Sequence, residues 1–519
     1  MSTPSAPSTY FTSYSPLIIV GLGVLLYFVI STTYSWYRLR HIPGPPLASI
    51  SYLWQFRAAL SGKRAEHYRD AHREYGSLVR IGPNELLTDD PKLIMHMSAV
   101  RATYTRSGWY AGFKFNPYTD NLFNILDTGA HDKLRAKLIG GYSTKENPSL
   151  ESNVDEQLRS LVALIRNRYI SQGDQYRPLD FARVVQYFTL DSITRIAFGE
   201  AFGYLATDSD VYGYIESLEI MMPRLSSVND IPLLRNALFS KWGLLLTGPS
   251  QKDAKGWGKL LAVAERVVAT RFNDTVDGAV RDRQDMLGSF VRRGVDRRQC
   301  ETEVLLQIVA GSDTVATPIR GTLLYLLSTP HVYEKLRTEI DGFFAGRSDA
   351  ETVKNSEALQ LPYLQAVLYE GLRMNPPFSG QMGKKVPPGG DTLPNGVFVP
   401  GGVDIAHSTL SMQRLSDVFG SDVDVFRPER WIEAEADPTH KALMMRVVEL
   451  NFGYGRWVCI GKHIAMMELN KIFVELLRRF DLQPVYPKNP LHEEDRLQYV
   501  PSNLWLRVTE RTSMTTDPR

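Results

Sequence analysis

The sequence predicts a mainly α-helical protein with a small β subdomain, preceded by one N-terminal transmembrane helix. Three observations support this fold class. An uncharged apolar run extends over residues 17–34. Between about residues 130 and 345, most segments carry apolar residues at three- and four-residue spacing, which is typical of amphipathic helices. Shorter runs at 75–88 and 380–410 are bounded by glycine and proline and favour strands.

The first element is a candidate membrane anchor. As a helix, the run 17–34 measures about 27 Å, close to the thickness of a bilayer core. Residues 1–37 contain no Lys or Arg, whereas Arg38 and Arg40 follow directly, so the positive-inside rule places the N-terminus in the lumen and the body in the cytosol. A cleaved signal peptide is the alternative, but the segment has neither a basic start nor a small-residue cleavage site.

A proline-rich connection follows the anchor. Pro43, Pro45 and Pro46 lie within four residues, which disfavours helix and predicts an extended, stiff segment. No further linker composition divides the rest of the chain, so one large body is expected. The predicted organisation is a lumenal tail over 1–16, an anchor over 17–36, a hinge over 37–50 and the body over 51–519.

The body is predicted to be helical with strands contributed from both ends of the chain. A β-hairpin is expected at 75–88, around a Gly-Pro-Asn turn, and strands recur between 380 and 410. The helical periodicity is clearest at 155–170, 258–272, 301–327, 332–345 and 460–480.

Composition excludes several classes of function. The 519 residues include 59 basic and 57 acidic side chains, so nothing indicates nucleic-acid binding, and the expected partners are apolar small molecules or a membrane. Only Cys300 and Cys459 are present, too few for a disulfide framework or a structural zinc site. No GxGxxG or Walker loop occurs, so the chain is not expected to bind its own flavin or nicotinamide.

Cys459 lies in a glycine-rich loop, residues 451–463 (NFGYGRWVCIGKH), at the start of a predicted helix. The helix N-terminus and nearby backbone N–H groups would lower the pKa of its thiol, and glycines would let a flat group approach the backbone. Phe452 would shield the sulfur. A buried, inert cysteine is one alternative; a nucleophilic Cys459 with His463 as its base is another.

Residues 310–314 (AGSDT) form a second polar group, within the predicted helix 301–327. Pro318 cannot donate to the carbonyl of Thr314, so the helix is expected to open there. The Thr314 hydroxyl, the Asp313 carboxyl and the freed carbonyl would hold water and relay protons. A kinked core helix without such a role is the alternative. Glu370 and Arg373, three residues apart, would by themselves be an ordinary helix ion pair.

The cysteine loop resembles the haem-binding loop of cytochromes P450, Phe-x-x-Gly-x-Arg-x-Cys-x-Gly. Phe452, Gly455, Cys459 and Gly461 occupy the matching positions. The resemblance implies haem b with the Cys459 thiolate as axial ligand. It also shows a departure, because Trp457 stands where the family has a propionate-binding arginine, and Arg456 lies one place earlier. A Gly-[Arg/Lys]-Trp-x-Cys loop is similar to that of some fungal members, with a pisatin-demethylase-like branch as one alternative.

Other motifs match the same family in order. Residues 310–314 resemble the oxygen-activating helix, which implies that Ala310 borders the haem and that Asp313 and Thr314 deliver protons. Glu370 and Arg373 with Arg430 resemble a buried structural triad. By the same resemblance, the remaining candidate propionate ligands are His131 and Arg135, four residues apart on one helix face, and Lys384.

The resemblance implies that residues 51–519 form the haem-thiolate catalytic domain of a microsomal monooxygenase. Such an enzyme uses O2 and a separate NADPH-cytochrome P450 reductase, here expected to dock near Arg456 and Lys462, and acts in the endoplasmic reticulum membrane on a lipophilic small molecule. A fungal terpenoid, polyketide or alkaloid is the expected substrate class. An isomerase or dehydratase of the same fold, and a non-enzymatic haem-binding protein, remain alternatives. The expected pocket residues are Trp109, Phe113, Phe115, Met221, Met222, Val309, Ala310, Phe378 and the loop 499–504.

Overall fold

The structure is a computed structural model and describes residues 16–250, 253, 256–276, 279–348 and 351–511. The predicted lumenal tail therefore lies outside the described residues except for Pro16. The α-helices in the described ranges are α1 (Pro16–Leu39), α2 (Leu53–Leu60), α3 (Arg64–Tyr75), α4 (Pro91–Ser98), α5 (Thr128–Leu138), α6 (Leu150–Arg168), α7 (Phe181–Phe198), α8 (Tyr204–Thr207), α9 (Tyr214–Asn229), α10 (Pro232–Leu238), α11 (Lys241–Thr247), α12 (Trp257–Asn273), α13 (Met286–Arg292), α14 (Arg297–Ser328), α15 (Pro330–Phe344), α16 (Asn355–Ala358), α17 (Pro362–Met374), α18 (Thr409–Met412), α19 (Ser416–Phe419), α20 (Glu429–Glu433), α21 (Pro438–Glu449) and α22 (Lys462–Leu477).

The strands are short and form several small sheets. They are β1 (Leu78–Arg80), β2 (Glu85–Thr88), β3 (Thr105–Arg106), β4 (Leu179–Asp180), β5 (Thr275–Val276), β6 (Ala279–Val280), β7 (Lys384–Lys385), β8 (Asp391–Thr392), β9 (Phe398–Val399), β10 (Asp404–His407), β11 (Phe480–Pro484), β12 (His492–Asp495), β13 (Tyr499–Ser502) and β14 (Trp505–Glu510). The mainly helical fold class with a small β component is confirmed.

The largest sheet joins the two ends of the chain, as predicted. Its strand order is β1-β2-β10-β7-β3. The hairpin of β1 and β2 is antiparallel, with Val79 opposite Leu87, and β10 then pairs with β2 in parallel, with Asp404 opposite Glu85. The sheet therefore places Lys384 of β7 directly beside Arg106 of β3.

Helix α1 is apolar, and its C-terminal end packs against this sheet. Residues Ile18–Leu39 have a mean hydropathy of 1.9 and could span a membrane by length and composition. The helix continues three residues past the predicted end of the anchor, and Leu39 is buried with Ile42 against the sheet. Arg38 also donates to the Gly401 carbonyl at 2.7 Å. Contacts with the body explain why the helix continues into the predicted hinge.

The predicted extended hinge is only partly correct. Residues 43–45 have no regular structure, but Pro46 begins a 3-10 helix, Pro46–Ser49. Proline is compatible with the first turn of a helix because its missing N–H would have no partner there. The segment is folded onto the body, and Ala48 is fully buried.

The helical core is built around α14, which packs against α7, α12 and α17. Most of the side chains of both α14 and α7 are buried. Pro318 lies inside α14, and the helix continues through it from Arg297 to Ser328. The predicted opening at Thr314 is therefore wrong. Packing on several sides maintains the helix, and proline removes one hydrogen bond without ending it.

The predicted triad of Glu370, Arg373 and Arg430 is confirmed. Arg373 forms a bidentate pair with Glu370 at 2.8 and 2.9 Å, and Arg430 Nε lies 3.1 Å from the same carboxylate. All three residues are almost completely buried. The triad connects α17 to α20, and α17 also contacts the cysteine loop, because Asn451 Nδ2 donates to the Leu372 carbonyl at 3.0 Å.

Candidate active site

The cysteine loop is shaped by tight turns between Leu450 and Gly461. Cys459 N donates to the Phe452 carbonyl at 2.6 Å and closes the loop. Gly453 and Gly455 have φ values of 79° and 59°, in the left-handed region that glycine tolerates. A Cβ on Gly455 would lie 2.2 Å from the Ser98 carbonyl oxygen, so only glycine allows the loop to lie against the end of α4.

Cys459 stands just before α22 and is exposed, although protein groups surround it. Its sulfur therefore faces a concavity within the body. Desolvation raises the pKa of the thiol, whereas the backbone N–H groups of Gly461 and Lys462 and the Arg135 guanidinium lower it. Within the described chain, His463 forms no hydrogen bond with Cys459. The structure therefore lacks the contact that a nucleophilic Cys459 with His463 as its base would need.

The middle of α14 also has accessible surface. Ala310 is exposed and Thr314 is half-buried, although the helix residues around them are mostly buried. The Thr314 hydroxyl donates to the Ala310 carbonyl at 2.6 Å. Accessible surface at the centre of a core helix means that these residues border internal space, which is the location that the sequence predicts for a haem and its oxygen site.

Asp313 does not join Thr314. Its carboxylate accepts from Gln186 Nε2 at 2.6 Å and from the Tyr214 hydroxyl at 3.0 Å, and it is 2% exposed. Burial raises the pKa of Asp313, and Arg320 acts in the opposite direction. Asp313 and Thr314 are thus adjacent in sequence, but their side chains have different hydrogen-bond partners.

A basic group of side chains lies beside the cysteine loop, and we call it the cradle: Arg106, His131, Arg135, Lys384, Arg456 and Trp457. Trp457 is at its centre. The Lys384 ammonium lies 3.9 Å and the Arg106 guanidinium 4.6 Å from the centre of the indole ring, and the His131 ring centre lies 4.6 Å away. A cation above the face of an aromatic ring is attracted to that ring electrostatically.

The cradle concentrates positive charge with little compensation. Desolvation lowers the pKa of Lys384 well below its usual value, and Arg106 and Arg456 lower it further. Burial, followed by Arg106, also lowers the pKa of His131 to about 4. Arg135 is partly buried and electrostatically coupled to Cys459.

Arg456 points away from the centre of the cradle. It donates to the Val100 carbonyl, and its guanidinium lies 3.5 Å from Asp132. Asp132 also pairs with His131 at 3.0 Å. Arg456, which lies one position before the family's propionate-binding arginine, is therefore held partly by Asp132.

Unsatisfied donors in the cradle provide a test of whether haem b fits. Lys384 Nζ, Trp457 Nε1, Arg106 Nε and Arg456 Nε are buried and have no hydrogen-bond partner in the described ranges. Buried donors without acceptors are costly, and carboxylates are strong acceptors for ammonium and guanidinium groups. The two propionates of a haem would supply the missing charge and acceptors, so the residues fit the cofactor.

Arg106 was not predicted as a site residue. Its Nη1 donates to the carbonyls of Leu122 and Ile125 at 2.8 and 3.0 Å, which fixes the guanidinium against Trp457. The sequence signal is weak: a single arginine within an aromatic segment, with no acid nearby in the chain. Only the pairing of β3 with β7 brings it to the site.

The predicted pocket residues are brought together in part. Trp109 contacts Phe113 and Phe378, with ring centres 5.0 and 6.1 Å apart, and Phe123, which was not predicted, contacts Phe113 at 5.0 Å. Phe115 instead stacks on Trp257 of α12 at 4.5 Å. The apolar wall therefore depends on the segment 108–113, Phe123 and Phe378.

A cysteine at a helix start, an accessible point on a long core helix and an unsatisfied basic cradle fit the site of a haem-thiolate protein. Comparison with known proteins agrees. The family model described as Cytochrome P450 matches residues 42–504. The chain is 48% identical over 494 residues to a cytochrome P450 monooxygenase ABA1 of Pyricularia oryzae, which covers 94% of this chain and 95% of that protein.

Two further relatives are similar over most of their length. The chain is 43% identical to the cytochrome P450 monooxygenase aba1 of Botryotinia fuckeliana, over 91% of this chain and 92% of that protein. It is 39% identical to the cytochrome P450 monooxygenase abl1 of Leptosphaeria maculans, over 93% and 85% respectively. The chain belongs to the cytochrome P450 family. It is a monooxygenase with haem b and a cysteine thiolate as axial ligand, and such enzymes use O2, a lipophilic substrate and a redox partner.

Proposed function

We propose that this monooxygenase inserts one oxygen atom from O2 into a lipophilic small molecule, by hydroxylation, epoxidation or several successive oxidations. The observation that carries the proposal is the exposed Cys459 thiol within a concavity, beside a cradle whose buried donors lack acceptors. Haem bound there supplies the activation of O2. Cys459 would be the axial ligand, and Phe452, Gly455 and Gly461 would shape the loop that presents it.

The remaining site residues have separate proposed tasks. His131, Arg135, Lys384 and Trp457, together with Arg106, bind the propionates, and Arg456 contributes from the edge. Ala310, which is exposed in the middle of α14, would leave room for a flat ring and for O2. The Thr314 hydroxyl, which now donates to the Ala310 carbonyl, holds a proton-carrying group at the oxygen site, and Asp313 supplies protons to it.

The substrate is proposed to be a terpenoid, polyketide or alkaloid of a fungal secondary pathway. The aromatic wall formed by Trp109, Phe113, Phe123 and Phe378 supports a lipophilic substrate. The similarity to fungal monooxygenases over more than nine-tenths of the chain supports the biological setting.

We further propose that α1 anchors the enzyme as a single pass in the endoplasmic reticulum membrane, with the body cytosolic and NADPH-cytochrome P450 reductase as the electron donor. The apolar α1 and the basic residues after it support this placement. The proposed docking residues are less cationic than the sequence indicates, because Arg456 faces Asp132 and Lys462 pairs with Glu449 at 3.0 Å.

The reduced, CO-bound absorption spectrum of the purified protein tests the ligand assignment. Wild-type protein should show the red-shifted Soret band of a thiolate-ligated haem, and Cys459→Ala should lose it. Cys300→Ala is the matched control, since Cys300 is buried away from the loop, and it should keep the band. Loss of the band in the Cys300 variant and its retention in the Cys459 variant would overturn the assignment.

Oxygen dependence separates the proposed reaction from its alternatives. Thr314→Ala should retain the band but consume NADPH with less product, because proton delivery becomes inefficient. An isomerase or dehydratase of the same fold would form product without O2 or NADPH. A non-enzymatic haem protein would form none under any condition.

A further inference from the structure

A polar cavity of about 700 Å³ lies between the five-stranded sheet and α10. It opens to the surface, and the side chains of the aromatic wall are not among its lining residues. Its volume is in the range of small-molecule sites, but its lining is charged rather than apolar. The charged residues are Glu85, Arg106, Asp127, Arg235, Lys385 and Asp404. A lining that contains both signs of charge fits a ligand that also carries both.

Four of these charged groups already have a place in the chain. Lys385 Nζ lies 3.0 Å from Asp404 Oδ1, so these two residues compensate each other. The Tyr52 hydroxyl donates to Glu85 at 3.0 Å, and burial raises the pKa of Glu85 to about 7. Arg106 belongs to the cradle and is fixed against Trp457. One base and one acid of the lining therefore remain.

The remaining base is Arg235, which is 6% exposed. Its Nη1 donates to the Asn229 carbonyl at 3.1 Å, whereas its buried Nε has no hydrogen-bond partner in the described ranges. Burial lowers the pKa of Arg235, and the more distant Asp404 and Glu85 oppose this effect. A buried guanidinium donor without an acceptor is costly, and phosphate oxygens are among its strongest acceptors. Arg235 is therefore suited to bind a phosphate in this cavity.

The remaining acid is Asp127, which is exposed at the edge of the cavity. Its Oδ1 accepts from Ala130 N at 2.7 Å and caps α5, but the carboxylate forms no ion pair with any residue that the structure describes. The cavity thus combines an uncompensated guanidinium in its wall with an uncompensated carboxylate at its edge. These two groups are complementary to a phosphate and an ammonium group of one ligand.

The cavity lies beside the end of the candidate membrane anchor. Asn84, one of its lining residues, donates through Nδ2 to the Gly402 carbonyl at 2.9 Å. Arg38 of α1 donates to the carbonyl of the preceding residue, Gly401, at 2.7 Å. The same short segment therefore contacts both α1 and the cavity. A ligand in the cavity would lie close to the point where α1 meets the body.

We propose that this cavity binds the headgroup of phosphatidylethanolamine, with Arg235 at the phosphate and Asp127 at the ammonium. A primary ammonium has three N–H donors for a carboxylate, whereas a choline headgroup has none. The acyl chains lie along Leu233 and Leu234 of α10, which are 80% and 41% exposed. The inference uses the membrane placement proposed above for α1 and goes beyond the proposed reaction.

Native mass spectrometry of the full-length, haem-loaded protein in detergent tests the site. The protein is titrated separately with phosphatidylethanolamine and with phosphatidylglycerol that has the same acyl chains. Both lipids have the phosphate, but only the first has the ammonium. Wild-type protein should bind phosphatidylethanolamine roughly threefold more tightly, as expected for one exposed ion pair. Lipid that binds along α1 is common to all variants and sets the background.

Variants of the two uncompensated residues should act differently. Arg235→Gln should weaken binding of both lipids roughly tenfold, because a hydrogen bond to a charged group is lost, and Arg235→Lys should retain most of the affinity. Asp127→Asn still caps α5 and should remove only the preference for phosphatidylethanolamine. Arg224→Gln is the control, since Arg224 of α9 is exposed and outside the cavity lining, and it should bind like wild type.

Unchanged binding in Arg235→Gln, or equal weakening in Arg224→Gln, would overturn the headgroup site. Phosphatidylglycerol that binds wild-type protein as tightly as phosphatidylethanolamine would show a simple anion site and would overturn the selection of a zwitterion. Each variant should keep the CO-bound band of the wild-type protein, which shows that weaker lipid binding does not arise from loss of folding. That band tests the haem-thiolate assignment independently, so failure of the lipid site would leave the proposed reaction standing.

Discussion

Two buried charged clusters lie close to the cysteine loop and differ in how their charges are satisfied. In the triad, the Glu370 carboxylate accepts from Arg373, Arg430 and the Trp431 indole. Burial alone would raise the pKa of Glu370, but the two arginines hold it below its usual value. In the cradle, several buried donors have no acceptor among the described residues.

The difference separates a structural cluster from a binding cluster. A buried acid surrounded by its own cations needs nothing from outside the chain, and its removal leaves those cations uncompensated. A group of buried cationic donors that lack acceptors is costly for the protein alone and becomes favourable once an anionic ligand binds. The triad should therefore govern folding, and the cradle should govern retention of haem.

Loss of the triad carboxylate should have the largest effect. Glu370→Ala leaves Arg373 buried without a carboxylate and Arg430 with Asp422 as its remaining acid, and we expect a loss of about 3–5 kcal/mol in the free energy of unfolding. Glu370→Gln should lose less, since its amide oxygen still accepts a hydrogen bond. Denaturant unfolding of the haem-loaded protein measures both. Wild-type stability in Glu370→Ala would contradict a structural role for the triad.

Loss of the central cradle cation should act on haem rather than on folding. Lys384→Met keeps the length of the side chain but removes the ammonium that lies over Trp457. Haem transfer to an excess of a haem acceptor should become roughly tenfold faster, from the loss of a charged hydrogen bond to a propionate. The unfolding midpoint of the haem-free protein should not fall, because a buried unpaired charge is removed.

Lys385 offers a matched control for this variant. It is the next residue of β7, but its side chain is 44% exposed and pairs with Asp404 at 3.0 Å. Lys385→Met should leave haem transfer unchanged, as expected for an exposed ion pair. Equal acceleration in both variants would show that β7, rather than the Lys384 ammonium, holds the haem.

The cradle's two adjacent donors should differ in the same assay. Trp457→Phe keeps an aromatic ring under the cations but removes the unsatisfied N–H, and should speed haem transfer roughly threefold, corresponding to one ordinary hydrogen bond. Arg456→Ala should have less effect, because Asp132 and the Val100 carbonyl already engage that side chain. A larger effect of Arg456→Ala than of Trp457→Phe on haem transfer would indicate that Arg456 is the main ligand of the propionate.

Replacement of Glu303, a buried carboxyl group without an ion pair in the described residues, should produce the smallest effect on stability. Glu303 accepts from Leu122 N and Gln299 Nε2, both at 2.9 Å, but forms no ion pair within the described residues. Burial raises the pKa of Glu303 to about 8. The folded state therefore binds this proton more tightly than the unfolded chain, in which a glutamate has a pKa of about 4.3.

The sign of the pH dependence follows from this difference. The stability contributed by protonated Glu303 is complete below about pH 4.3 and is lost as the pH rises through about 8. Glu303→Gln should raise the thermal midpoint by roughly 2 °C at pH 8 and by less at pH 5. Melting curves at the two pH values measure the change, and a constant difference would contradict a raised pKa.

The sequence by itself determined the elements whose signal is local. The apolar run of α1, the hairpin of β1 and β2, the main helices and the loop around Cys459 all follow from periodicity, turn residues and motif spacing. The triad was also predictable, because both of its motifs are present in the chain. These features depend on interactions within a few residues or on motifs that the family shares.

Only the tertiary structure decided which polar groups meet. Arg106 reaches Trp457 because β3 pairs with β7, although 350 positions separate the two residues in the chain. Asp313 turns from Thr314 because Gln186 and Tyr214, on two other helices, satisfy its carboxyl. Helix α14 continues through Pro318 because it is packed on several sides. In each case, the free energy of satisfying a buried group depends on partners that are distant in the sequence, so local pattern could not predict the outcome.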